Sequence, residues 1–153
     1  RDELYKGVAN WDYIKRAVKA VSIPVVGNGD IWTLDAIKRH FEYTECHSIM
    51  LARSALKTPW LATLYRDGGE DTPESRIEFI VRYFQRFYLE TQKQNLPESS
   101  RIKRLKSVSR YIFDDLPEGL FIKKKFLLSK SFDEQYSILK DANKLINGND
   151  LFL

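Results

Sequence analysis

Two short segments carry residue types suited to binding an anion. In Val25-Val26-Gly27-Asn28-Gly29-Asp30-Ile31 an apolar pair runs directly into two glycines, an amide and a carboxylate. Glycines just after a strand let the backbone approach a ligand, and the successive N–H groups there can cradle a phosphate. Asn-Gly between apolar runs is also the commonest hairpin signal, so the turn by itself leaves two readings open. The helical pattern after Ile31 argues for a strand-to-helix turn. In Met50-Leu51-Ala52-Arg53-Ser54-Ala55-Leu56 a second apolar run ends at an arginine. If the two strands are neighbours, Arg53 stands beside Asn28, Gly29 and Asp30. A guanidinium next to such a turn makes a phosphate site.

The remaining reactive residues are few. Cys46 is the single cysteine, which excludes an internal disulfide and leaves too few thiols for a zinc cluster. It points to a reducing, cytoplasmic compartment, and with His40 and His47 it reads as a packing or surface residue. No metal site is expected, and no run approaches the roughly 18 apolar residues a membrane span needs. Net charge is +4, unevenly placed. Residues 1–70 hold 10 basic against 9 acidic residues, whereas 101–130 hold 9 against 3. Lys103, Lys106 and Arg110 fall at i, i+3 and i+7, one face of a helix. Such an excess suits a polyanion, and it equally suits an ordinary solvated surface. The same two readings apply to Lys123-Lys124-Lys125.

These residues need elements to position them. Asn10 can cap a helix with apolar positions Ile14, Ala17, Val18 and Val21. Ile23-Pro24-Val25-Val26 reads as a short buried strand, Thr33 can cap a helix to about Phe41, and His47 to Ala52 reads as a second strand. Lys57-Thr58-Pro59-Trp60 opens a further helix. Alternation at this spacing implies parallel strands with right-handed crossovers. Two strands cannot cover both faces of a parallel sheet, and the first residue is not Met, so the chain is expected to begin inside a longer protein. The polar stretch Arg66 to Pro73 marks a boundary. The expected domains are 1–66, α/β, a linker at 67–75, and 76–153, all-α. In the latter, Ile77, Ile80, Val81, Phe84, Phe87 and Tyr88 share one face of a helix, with Arg82, Arg86 and Lys93 opposite. A helix over 100–113 buries Ile102, Leu105, Val108 and Ile112. A last helix begins at the capping box Ser131 to Glu134, buries Ile138, Leu139, Ala142, Leu145 and Ile146, and ends at Asn147-Gly148.

Leu4-Tyr5-Lys6-Gly7-Val8-Ala9-Asn10-Trp11, the Ile23 to Ile31 segment and Ile49 to Leu56 with Pro59-Trp60 together resemble the tRNA-dihydrouridine synthases. That resemblance covers about residues 1–62. Arg101-Ile102-Lys103 resembles a basic motif in the same family's tRNA-binding domain. The resemblance implies the C-terminal βα units of a TIM (β/α)8 barrel followed by a helical bundle. It implies FMN, with its phosphate on Asn28, Gly29, Asp30, Ala52 and Arg53, and NADPH as reductant. It implies tRNA held by Arg101, Lys103, Lys106 and Arg110. Ala52 departs from the family's usual Gly, and the anion site is expected to survive the added methyl. The family's catalytic cysteine lies in an Asn-x-x-Cys-Pro segment, and Cys46 in Tyr43-Thr44-Glu45-Cys46-His47 does not match it. No catalytic residue is therefore expected here, and the chain alone is expected to be inactive. Two other readings stand beside this one: a non-enzymatic basic RNA-binding module, and another FMN barrel such as a dihydroorotate dehydrogenase-like enzyme.

Overall fold

The structure is a computed structural model that describes residues 7–148. Leu4, Tyr5 and Lys6 of the first matching segment lie outside the described residues. The chain divides into two compact units, Arg1–Gly69 and Glu70–Leu153.

The first unit alternates α1 (Asp12–Ala20), β1 (Val26–Gly27), α2 (Leu34–Thr44), β2 (Ser48–Ile49), α3 (Ser54–Lys57) and α4 (Leu61–Asp67). β1 and β2 pair in parallel, Val26 with Ser48 and Gly27 with Ile49. Both strands are shorter than their apolar runs suggest. Hydrogen bonds from His47 N to Val25 O (3.0 Å) and from Met50 N to Gly27 O (2.8 Å) extend the pairing slightly. Beyond that the runs have no further strand partner among the described residues, and Ile23, Val26 and Met50 are exposed. The caps follow local chemistry. Thr33 accepts from Ala36 N at 3.1 Å to start α2, whereas α1 opens at Trp11 with no side-chain cap, and the expected cap residue Asn10 instead closes a turn by accepting from Asp12 N at 2.9 Å. Ile31, Ala36, Ile37 and Leu61 form the core, with Trp11, Leu34, Phe41, Ile49 and Leu51 packed against it. This core holds α2 and α4 together, and with them the turns that follow β1 and β2.

The second unit is helical: α5 (Pro73–Lys93), α6 (Glu98–Val108), α7 (Gly119–Leu128) and α8 (Phe132–Asn147). α5 opens on a reciprocal cap in which Thr72 and Ser75 exchange side-chain to backbone bonds at 3.0 and 3.2 Å. A cap of this kind is worth about 1 kcal/mol. Ile77, Ile80, Val81 and Phe84 are buried, as the periodicity requires. Phe84, Phe113 and Phe126 meet at the centre, with ring centroids 4.8 to 6.1 Å apart. Arg76 ties the start of α5 to Asp71 (2.6 Å) and Asp115 (2.7 Å). Ser131 caps α8 by accepting from Glu134 N, while the Glu134 carboxylate accepts from Lys130 N, one residue before the expected partner of a capping box.

Two helix expectations need correction. α6 ends at Val108, so Ile112 reaches the core from a series of turns and Arg110 lies beyond the helix. Leu145 of α8 is exposed, because the buried stripe runs through Gln135, Leu139, Ala142 and Asn143 instead.

Candidate functional site

Parallel pairing of β1 and β2 sends their two following turns out on the same side. Asn28, Gly29, Asp30, Ala52 and Arg53 line one concavity of about 430 Å³, together with Trp32 and Ser54. The five residues named from the sequence therefore lie around one concavity. Gly29 has φ +110° and Asp30 φ +50°. The first is open to glycine, and the second is uncommon for a residue with a side chain. A Cβ on Gly29 would also stand 2.6 Å from that of Ala9.

Several bonds hold this unusual turn. Asp30 Oδ2 accepts from Ala9 N at 2.8 Å, and Trp11 Nε1 donates to Gly29 O at 2.8 Å. Arg53 Nη2 lies 2.6 Å from Asp30 Oδ1, which ties the second turn to the first. The guanidinium also covers the Trp32 ring at 5.2 Å. Arg53 is half-exposed, so its pair with Asp30 contributes about 0–1 kcal/mol to folding. Its larger effect is to fix where a positive charge stands. Ala9, Trp11 and Trp32 were not singled out for this site by sequence reasoning. Ala9 and Trp11 nevertheless stand in the first of the three matching segments.

Behind the turn lies His40, fully buried on α2. Its ring meets Trp11 edge-on at 4.7 Å, and Nδ1 stands 3.7 Å from Cys46 Sγ and 3.4 Å from Thr44 Oγ1. Burial holds its pKa below the ordinary value, and the backbone of Asn28 opposes that shift. Cys46 is buried, donates toward Ser48 O at 3.3 Å, and is not among the residues lining the concavity.

The basic residues of the second unit do not form one stripe. Lys103 is exposed on α6, and Arg110 is exposed in the turns after it. Lys106 is half-buried, and its ammonium donates to the backbone carbonyl of Ser129. This corrects the expectation of three equivalent cations at i, i+3 and i+7. Arg101 lies over the Tyr88 ring at 4.8 Å, with Nε and Nη1 enclosed and without a hydrogen-bond partner. Lys123 pairs with Asp114 at 2.9 Å, and Lys125 covers Phe121 at 4.4 Å. Among the described residues no helix is long and apolar enough to cross a membrane. Nor do any three or more His, Cys, Asp or Glu among them stand where they could hold a metal ion.

Comparison with known proteins adds independent information. The family model described as dihydrouridine synthase (Dus) matches residues 1–146. The chain is 30% identical over 146 residues to the tRNA-dihydrouridine(16) synthase of Shewanella oneidensis, covering 94% of this chain and 44% of that protein. It is 30% identical over 144 residues to tRNA-dihydrouridine synthase B of Proteus vulgaris, covering 92% and 44%. A shorter match, 41% over 66 residues, covers 43% of the chain and 20% of the tRNA-dihydrouridine(16) synthase of Ralstonia nicotianae. The chain thus spans less than half the length of these curated relatives.

Proposed function

Since the chain belongs to the dihydrouridine synthase family, we propose that it forms the last βα units and the helical domain of an FMN-dependent tRNA-dihydrouridine synthase. The whole enzyme reduces uridine in tRNA to 5,6-dihydrouridine, with NADPH as reductant. One observation carries this reading: two turns after adjacent parallel strands bring Asn28, Gly29, Asp30, Ala52 and Arg53 to one concavity. In a β/α barrel, active sites form at that end of the strands.

The donor set fits a phosphate group. The turn offers backbone N–H groups and Arg53 offers a planar cation suited to two oxygens at once. A bare carboxylate would oppose an anion, but both Asp30 oxygens are engaged, one by Ala9 N and one by Arg53. When bound, FMN would supply the hydride for the uracil double bond and be regenerated by NADPH. This chain's residues then bind and orient. Arg53 neutralises the phosphate, the Asn28 to Asp30 backbone fixes its position, and Ala52 keeps the second turn close with a side chain of one methyl. Cys46 has no part in the chemistry, and the proton donor belongs to barrel segments outside these 153 residues.

The second unit grips tRNA through Lys103 and Arg110, with Arg101 and Lys106 supporting the surface. Phosphate contacts of this type position a nucleic acid without reading its bases. Family membership favours this reading over a dihydroorotate dehydrogenase-like enzyme. The test is to incubate the enzyme bearing its complete barrel with NADPH and unmodified tRNA. A gain of two hydrogens at a uridine is expected. A flavin-loaded enzyme that leaves every uridine unreduced would contradict the proposal and favour a non-enzymatic RNA-binding module.

A further inference from the structure

His40 is polar, yet it is completely enclosed in the first unit. Its Nε2 has no hydrogen-bond partner there, a cost that an apolar residue of similar size would not carry. Nδ1 has Thr44 Oγ1 at 3.4 Å and Cys46 Sγ at 3.7 Å, so one side of the ring is satisfied, and core filling does not account for the open Nε2. What the ring faces does. A Cβ added at Gly27 would fall inside van der Waals contact of His40 Cε1, and would stand 3.2 Å from Nε2 and 3.0 Å from Cys46 Sγ. The imidazole thus occupies, from behind β1, the space that a side chain at position 27 would need. The backbone of Asn28, the next residue, reaches the ring closely enough to raise its pKa against the effect of burial. Trp11 meets the other side of the ring at 4.7 Å, and its indole N–H holds Gly29 O. Gly27, Asn28 and Gly29 are all backed by this one assembly. Support is needed, because Asp30 sits at φ +50°, a conformation that persists only when its surroundings hold it.

We propose that His40 is a positioning residue for the phosphate turn, forming with Gly27 a size-matched pair that holds Asn28 to Asp30 in shape. The inference rests on the proposed phosphate site for its functional meaning, but the pairing itself does not. Exchange of side-chain volume across a tight contact couples two positions strongly, whereas a volume-conserving swap is tolerated. Valine at 40 vacates space, and alanine at 27 refills it.

The experiment compares the wild type, Gly27→Ala, His40→Val and the double variant by amide hydrogen exchange of the enzyme bearing its complete barrel. FMN affinity is measured in parallel on the same enzyme. Each single change should raise exchange at the 28–31 amides by about tenfold or more, with the α5 to α8 amides unaffected. FMN binding should weaken by about tenfold. The double variant should return both quantities to within about threefold of the wild type. A Gly27→Ala chain that fails to fold, beside a double variant that folds, would support the pairing equally. A double variant whose losses are the sum of the two singles would overturn it, as would normal protection at 28–31 in His40→Val. Absence of FMN binding by the wild type would sink the phosphate reading instead, and the exchange data would still decide the pairing.

Discussion

Arg53→Ala takes a guanidinium out of the concavity while leaving both strands intact. The side chain is 46% exposed and its partner Asp30 23%. A hydrogen bond to a charged group is worth about 1.5–3 kcal/mol, and half-exposure places Arg53 near the lower figure. Losing about 1.5 kcal/mol weakens FMN by about tenfold. A second effect works in the same direction. Asp30 Oδ1 loses its counter-ion, leaving a carboxylate beside the phosphate at a cost of up to about 2 kcal/mol at an effective dielectric near 20. The total lies between about tenfold and a few hundredfold in Kd. Asp30→Asn on the Arg53→Ala background should recover the second part, and Arg53→Lys, which keeps the charge without the planar fork, should fall between. Folding should lose less than about 1 kcal/mol, because an exposed ion pair contributes little. The assay is quenching of FMN fluorescence on titration with the complete enzyme, with thermal melts alongside. Cys46→Ala, a change outside the concavity, should alter the Kd far less. Equal FMN affinities for Arg53→Ala and the wild type would refute the reasoning.

Four further outcomes are expected. The 153-residue chain alone should not retain FMN, because two strands leave most of a flavin in water, and a stoichiometric, saturable flavin titration would contradict this. Changing Lys103 and Arg110 to Gln should lower the log–log salt slope of tRNA binding by roughly 1.4–1.8 units, since each lost phosphate contact removes about 0.7–0.9. Lys106→Gln should leave that slope nearly unchanged and instead lower the melting temperature, because its ammonium is committed to Ser129 O. The His40 pKa is lowered by burial from 6.5, so below 6.5 the unfolded chain binds the proton that the folded one resists. Stability should therefore be full above that value and fall as pH drops through it toward the folded pKa. Urea unfolding of the first unit from about pH 7 to about pH 5 checks this, and a pH dependence unchanged in His40→Val would contradict it.

What could be read from the sequence was local. Thr33, Ser131 and Gly148 mark helix ends through their own side chain or backbone freedom, and the structure places ends there. The apolar face of α5 keeps its period from Ile77 to Tyr88 within a helix of 21 residues, long enough to be unambiguous. The two turns were legible as a pair, because a glycine-rich turn and an arginine each follow an apolar run and the helical pattern after Ile31 argues against a hairpin. The end of α6 was not legible. Leu105, Val108 and Ile112 keep a helical period, and neither Gly nor Pro interrupts it. Ser109, whose hydroxyl bonds to Lys106 O at 2.9 Å, starts a run of turns from which Ile112 and Phe113 still reach the core. Lys106 reaches a carbonyl 23 positions away, a tertiary contact that no local spacing encodes. His40 belongs with it, because only the packing of α2 behind β1 shows that this ring backs Gly27, just ahead of the Asn28 to Asp30 turn.

The central claim is that the Asn28 to Asp30 turn and Arg53 recognise the phosphate of a flavin. FMN and riboflavin differ only by that phosphate, so their dissociation constants on the wild-type enzyme and on Arg53→Ala form a closed cycle. The wild type should prefer FMN by about a hundredfold, and Arg53→Ala should lose most of that preference while binding riboflavin as the wild type does. An enzyme that binds both flavins equally, or an Arg53→Ala variant that keeps the full preference for FMN, would contradict the account.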